Sequence, residues 1–211
     1  MPINIAELRI GDEILTMNMG TGHYEYSPVM MFLDRNPDIE RLYYEIETES
    51  GARITATPAH LLFISDTNND VDNDKHEEFV SKIQINQYLL VHYYNQTSSK
   101  TRLERITGIM TKKSKGIYAP LTDTGTIVVN NIIASCYAII NNQQLSHFSF
   151  IPIRLSYHFI QFGDYISTLL HVQQPQQKQS SSSTLPIGIH WYPRLLYEMF
   201  SYFIPNDYIF H

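Results

Sequence analysis

APLTDTGTIVVNNIIASCYAII, residues Ala119–Ile140, decides the fold of this chain. Two runs rich in β-branched residues, Gly125–Asn130 and Ile132–Ile139, follow each other in it almost without a gap. Such side chains have stiff χ1 torsions and suit a pleated, half-buried surface better than a helix. Working outward, runs of the same kind recur at Glu13–Met17, Val29–Leu33, Leu42–Thr48, Arg53–Thr57, Leu61–Ser65, Tyr88–Tyr94 and Arg102–Met110. Turn formers separate them: Gly20-Thr21-Gly22, Asn36-Pro37-Asp38, Ser50-Gly51 and Asn141-Asn142. Many short runs with regular punctuation predict a mainly β fold, a compact all-β body.

The pattern changes after Asn142. Residues 144–172 carry Phe148, Ile151, Leu155, Phe159 and Phe162 at near-helical steps and predict a helix. QQPQQKQSSSSTLP, residues 173–186, has the composition of a disordered linker. GIHWYPRLLYEMFSYFIP, residues 188–205, predicts a short aromatic amphipathic helix. The chain therefore divides into a β body at 1–145, a partly helical segment at 146–172, a linker at 173–187 and an aromatic end at 188–211.

Bulk composition excludes several classes of function. The formal charge of −6 and pI near 5.8 argue against a nucleic-acid partner. No apolar run is long enough for a transmembrane helix. The opening MPINIAELRIGDEILTMN places Glu7, Asp12 and Glu13 early and is not a signal peptide. The single cysteine, Cys136, excludes an internal disulfide framework. TNNDVDNDKH, Thr67–His76, is acidic, but it lacks the glycine and terminal glutamate of a calcium loop. It reads as a solvated loop, and no metal site is expected.

One short motif carries chemistry. Thr57-Pro58-Ala59-His60 lies between two β runs. A Thr and a His three residues apart across a proline corner can turn toward one pocket, and a His is the natural proton donor near neutral pH. A buried structural histidine would present the same spacing.

LRIGDEIL (8–15), YSPVMMFLDR (26–35), TATPAHLLFI (55–64), the Ala119–Ile140 block and GIHWY (188–192) together resemble the hedgehog autoprocessing domain, in order and over nearly the whole chain. The resemblance implies a Hint fold, shared with inteins, followed by a partly helical sterol-recognition tail. It implies cleavage through a cysteine thioester, then transfer of the upstream polypeptide to a sterol such as cholesterol. No cofactor is implied; the sterol is a second substrate. Thr57 matches the position that contacts the scissile peptide, and His60 the one that protonates the departing nitrogen. Asp34 matches the base for the sterol hydroxyl, although local sequence reads it equally well as a turn residue before Arg35. Cys136 matches a near-site cysteine: a buried small hydrophobe, or a redox partner for the nucleophile. Trp191, Tyr192, Phe200, Tyr202 and Phe203 would contact a sterol or a membrane surface, or dock on the β body. The resemblance further implies an upstream signalling domain in cis and the secretory pathway.

The nucleophilic cysteine that heads the family's domain has no counterpart here, since the chain starts at Met1 and Cys136 is its one thiol. As written, the chain is expected to be inactive: either the C-terminal portion of a longer product, N-terminally truncated, or a degenerate, non-catalytic module that binds lipid or a partner. Splicing of the intein type is disfavoured, because Asn130-Asn131 lies mid-domain.

Overall fold

Two long strands organise the molecule: β3 (Met31–Thr48) and β8 (Ser98–Leu121). They run antiparallel, from Met31 opposite Leu121 to Thr48 opposite Ile106. The computed structural model describes residues 2–68, 75–95, 98–138, 143–169 and 187–203. Within these, β1 (Glu13–Met17) and β2 (Tyr24–Pro28) form a separate hairpin. The remaining strands are β4 (Arg53–Ala56), β5 (His60–Ser65), β6 (Lys75–Phe79), β7 (Tyr88–Asn95), β9 (Thr126–Val129), β10 (Ile132–Ala138) and β11 (Gly188–Ile189). The sheet path is β11-β3-β8-β7-β10-β5-β6, with β4 on β3 and β9 on β10. The structure is mainly β, as the sequence predicts.

Strands β5, β7 and β10 are buried on both faces. Leu62, Ile64, Leu89, Val91, Ile132 and Ala134 belong to the main core. Their neighbours Phe63, Leu90 and Ile133 point the other way, into a second cluster with Met17. Side chains alternate along a strand, so two-sided burial demands an unbroken apolar run, and LLFI at 61–64 is one. Each such side chain contributes about 1.5–3 kcal/mol when fully buried. Between β9 and β10, Asn130 and Asn131 both take positive φ, 49° and 69°, the geometry of a tight two-residue hairpin turn.

Several details differ from expectation. Asn36-Pro37-Asp38 is not a turn but lies inside β3, where pairing with β8 slips between Asn36 and Glu40. The Asn36 side chain accepts from the Asp38 and Ile39 N–H groups, so local turn chemistry survives as a bulge. Strands β2 and β6 were not anticipated, and β6 begins inside the expected Thr67–His76 loop. Of that loop, residues 69–74 lie outside the described residues, as does the expected linker at 173–186.

The helical segment is two helices, α1 (Gln143–Ser149) and α2 (Ile151–Leu169), parted at Phe150. The expected apolar stripe faces outward: Phe148, Leu155, Phe159 and Phe162 are exposed. The side turned to the β body instead carries Phe150 and Arg154. A third helix, α3 (Trp191–Phe203), follows β11.

Candidate functional site

The Thr57–His60 corner is a tight turn. The His60 backbone N–H donates to the Thr57 carbonyl at 3.0 Å, and Pro58 offers its carbonyl to the Ser81 N–H at 3.1 Å. Pro58 fixes φ where the chain leaves β4, and the turn delivers His60 as the first residue of β5. Opposite it, β10 bulges. Leu62 pairs with Ala134 but His60 pairs with Ala138, so β10 spends four residues where β5 spends two. Ser135, Cys136 and Tyr137 occupy the bulge, a device that re-aims side chains beside active sites.

The imidazole of His60 lies beside the Ser135 backbone. Protein packed around the ring disfavours its charged form and holds the pKa below the usual histidine range, with the Ser135 backbone opposing. A narrow part of its surface still opens on a cleft of about 1840 Å³. The same cleft is lined by Thr57, Cys136 and Asp34.

Cys136 is 3% exposed. Burial pushes its thiol up to about 11, against the opposing hydrogen bonds of Thr122 and the charge of Arg154. The Thr122 hydroxyl lies 3.6 Å from Sγ. A thiol so placed carries almost no thiolate near pH 7, so it behaves as a small apolar residue that borders the cleft.

Asp34 sits in β3 between two partners, Ala119 of β8 and Ile189 of β11. Partial burial raises its pKa, against the Arg35 backbone N–H and the charge of Arg41. That makes it a better base than a solvated carboxylate. Tyr43 lies close enough for its own pKa to be raised, first by burial and then by the Asp34 charge, while its hydroxyl donates to the Gly116 carbonyl. Asp34 is therefore in a strand flanked on both sides, not in a turn.

The tail supplies the facing wall through Phe150, Ile189, Pro193 and Leu196. The residues named for sterol or membrane contact divide. Trp191 is 64% exposed, with its ring tilted against His190. Tyr192 is half-buried, packs edge-on to Phe150 and donates its hydroxyl to the Ser149 carbonyl at 2.7 Å. Phe200, Tyr202 and Phe203 lie on α3, and their side chains fall outside the described residues. Among the described residues, no group of three or more His, Cys, Asp or Glu side chains could hold a metal.

Sequence reading missed a polar cluster beneath α2. The Arg154 guanidinium donates to the Tyr137 hydroxyl, to the His147 carbonyl at 2.6 Å and to His147 Nδ1 at 2.7 Å. Asp123 lies 3.9 Å from Arg154 Nε and 3.2 Å from His158 Nε2. A signal was available: Arg154 is the lone Arg or Lys in residues 144–172.

Comparison with known proteins gives the following. The Hint module family model matches residues 2–205. Protein hedgehog of Drosophila virilis is 34% identical over 203 residues, covering 96% of this chain and 41% of that protein. Sonic hedgehog protein of Danio rerio is 33% identical over 204 residues, covering 96% of this chain and 46% of that protein. The chain thus spans less than half the length of these relatives. Among solved structures, the Ssp DnaB mini-intein variant M86 matches at TM-score 0.51 with 16% identity, over 63% of this chain and 82% of that one. Its G-1F mutant matches at TM-score 0.52 with 15% identity, over 63% and 87%. These two show the Hint fold.

Proposed function

This chain belongs to the Hint module family in its hedgehog-type form, and from that premise we propose that it is the part of a precursor that cleaves itself through a thioester and transfers the upstream polypeptide to a sterol. The observation that carries this is the sharing of one cleft by Thr57, His60 and Asp34.

The first step needs a cysteine thiol upstream of the 211 residues, since Cys136 is their only thiol and is buried. That sulfur attacks the preceding peptide carbonyl. A histidine held below its usual range is neutral near pH 7, so His60 accepts the thiol proton and returns it to the departing nitrogen. The C–N bond breaks, a C–S bond forms, and Thr57 orients the scissile peptide.

In the second step the sterol hydroxyl attacks the thioester carbonyl. An alcohol is a much weaker acid than a thiol, so it gains from Asp34 as a base raised by burial. The C–S bond breaks and the thiolate leaves, to be reprotonated. No redox change is involved and no cofactor is required; the sterol is the second substrate.

Residues 1–145 act as the Hint body and 146–172 with 188–211 as the sterol-recognition tail, joined by 173–187. The exposed Phe159, Phe162 and Trp191 suit contact with a sterol-bearing membrane surface. No described helix is long and apolar enough to cross a membrane. Family membership suggests an upstream signalling domain in cis and work in the secretory pathway.

The test begins with the reading frame upstream of residue 1. A Gly-Cys-Phe junction there, followed by self-cleavage of the extended protein with dithiothreitol or a sterol, is the expected result. His60→Ala should block the thioester. Asp34→Ala should spare dithiothreitol cleavage and abolish sterol attachment, and equal loss of both would remove Asp34 from its role. A closed frame would favour the second reading, a non-catalytic Hint module that binds lipid or a partner. The burial of the chain's one thiol is the observation behind that reading.

A further inference from the structure

We propose that Arg154 is a positioning residue, whose latch on Tyr137 and His147 sets the helical wall of the cleft against the strands that carry His60 and Asp34. This rests on reading the cleft as the sterol-accepting site.

Arg154 is 7% exposed. A guanidinium is costly to bury unless its donors are met. Here Nη1 donates to the His147 carbonyl, and Nη2 to the Tyr137 hydroxyl and His147 Nδ1, while Nε makes no hydrogen bond and has only the Asp123 carboxylate nearby, at 3.9 Å. The Tyr137 hydroxyl and His147 Nδ1 are themselves 3.1 Å apart. The guanidinium fork is planar and rigid, so these bonds fix how α2 is rotated as well as where it lies. The bond to Tyr137 ties α2 to β10 at the bulge, and the two to His147 tie it to α1.

From there the contacts run in a closed circuit. The Tyr137 ring stacks on Phe150, with centroids 5.5 Å apart and planes at 24°. Phe150 meets Tyr192 of α3 edge-on at 5.5 Å. Just before α3, the His190 N–H donates to the Leu33 carbonyl at 2.9 Å, and Ile189 pairs with Asp34. On β10, two residues before Tyr137, the Ser135 backbone lies beside the His60 imidazole. The tail therefore spans from the proton-handling strand to the strand of the sterol base. Loosening it at Arg154 leaves Thr57 and His60 on the β body but frees the wall that faces them.

The first test uses the 211-residue protein and needs no chemistry. In Arg154→Met, amide exchange of His190 should speed up by about tenfold or more, while the β5 amides keep their protection. Tyr137→Phe keeps the ring stack but removes the acceptor, and should do the same. The double variant should lose no more than Arg154→Met alone, because both remove the same Arg154–Tyr137 bond across to β10. Unchanged His190 protection, or additive losses, would overturn the latch.

The second test uses the precursor with its upstream cysteine. Arg154→Met should raise the sterol KM by about tenfold while thiol-driven cleavage stays within about twofold, with partial recovery in Arg154→Lys. Parallel loss of both reactions would mean that Arg154 merely supports the fold. If the unaltered precursor shows no sterol-driven release, the autoprocessing reading fails, and the exchange experiment still decides the latch.

Discussion

His60, at the head of β5, sets its imidazole beside the backbone of Ser135 in the β10 bulge. The contact joins the corner that presents the histidine to the strand that carries Cys136 and Tyr137. The Ser135 backbone favours the charged ring, while the surrounding protein disfavours it more. His60 should titrate below the ordinary histidine range of about 6.5, and two-dimensional NMR of the ring protons would show it. In the cleaving precursor, His60→Gln should slow thioester formation by about 10²–10⁴-fold, the usual worth of a positioned acid–base group. A normal His60 titration would remove the proton-shuttle role.

Cys136 tests the other side of the cleft. Burial holds its thiol near 11. The folded protein should therefore resist iodoacetamide at pH 8 and react promptly once unfolded in urea, because only the thiolate is nucleophilic. Mass spectrometry of the alkylated protein checks this. Rapid labelling of the native protein would show an accessible thiol and reopen a redox role. Cys136→Ala should cost about 1–2 kcal/mol as a small cavity, without altering thiol-driven cleavage.

A pH effect follows from His147. Burial, then the Arg154 charge, depresses its pKa to about 4. In the unfolded chain the group titrates near 6.5. Below that pH the unfolded state takes up a proton that the folded state refuses. This contribution is thus complete above about 6.5 and is lost as pH falls toward 4. His60, His92 and His190 are depressed as well and act in the same direction. Urea midpoints between pH 7.5 and 5 should fall, and fall less steeply in His147→Gln. The same slope in both proteins would deny His147 its part.

The β body was legible because two-sided burial leaves apolar runs such as Leu61–Ile64, and the Thr57–His60 corner because Pro58 stands between two such runs. Strand β6 was hidden because KHEEF, residues 75–79, has little apolar alternation; at the sheet edge, where among the described residues it pairs only with β5, its charges suit an edge strand. The Asn36–Asp38 bulge was hidden because local turn chemistry is the same in a turn and in a long strand, and only pairing with Ile117 and Lys115 decides between them. Arg154 was hidden for a similar reason. A lone arginine in an apolar helix looks like its solvent face, and only tertiary register sets the Tyr137 hydroxyl beneath it.

Gly125 lies under that same cluster, and its replacement separates backbone strain from crowding. Its φ is +72°, and an added Cβ would sit 2.8 Å from His147 Nδ1 and 2.9 Å from the Tyr137 ring. Gly11 has φ +91° with nothing within 4 Å of such a Cβ. Gly11→Ala therefore bears the left-handed backbone cost alone, about 1 kcal/mol. Gly125→Ala bears that cost and an overpacking cost of about 1–3 kcal/mol. The Tyr137 and His147 side chains cannot simply withdraw, because Arg154 holds both. Denaturant midpoints of the two variants should differ accordingly, with Gly125→Ala the less stable and its His190 amide the less protected. Equal destabilisation of the two would mean that the Tyr137–His147 pair yields freely, and the cluster would then be too soft to fix α2 in place.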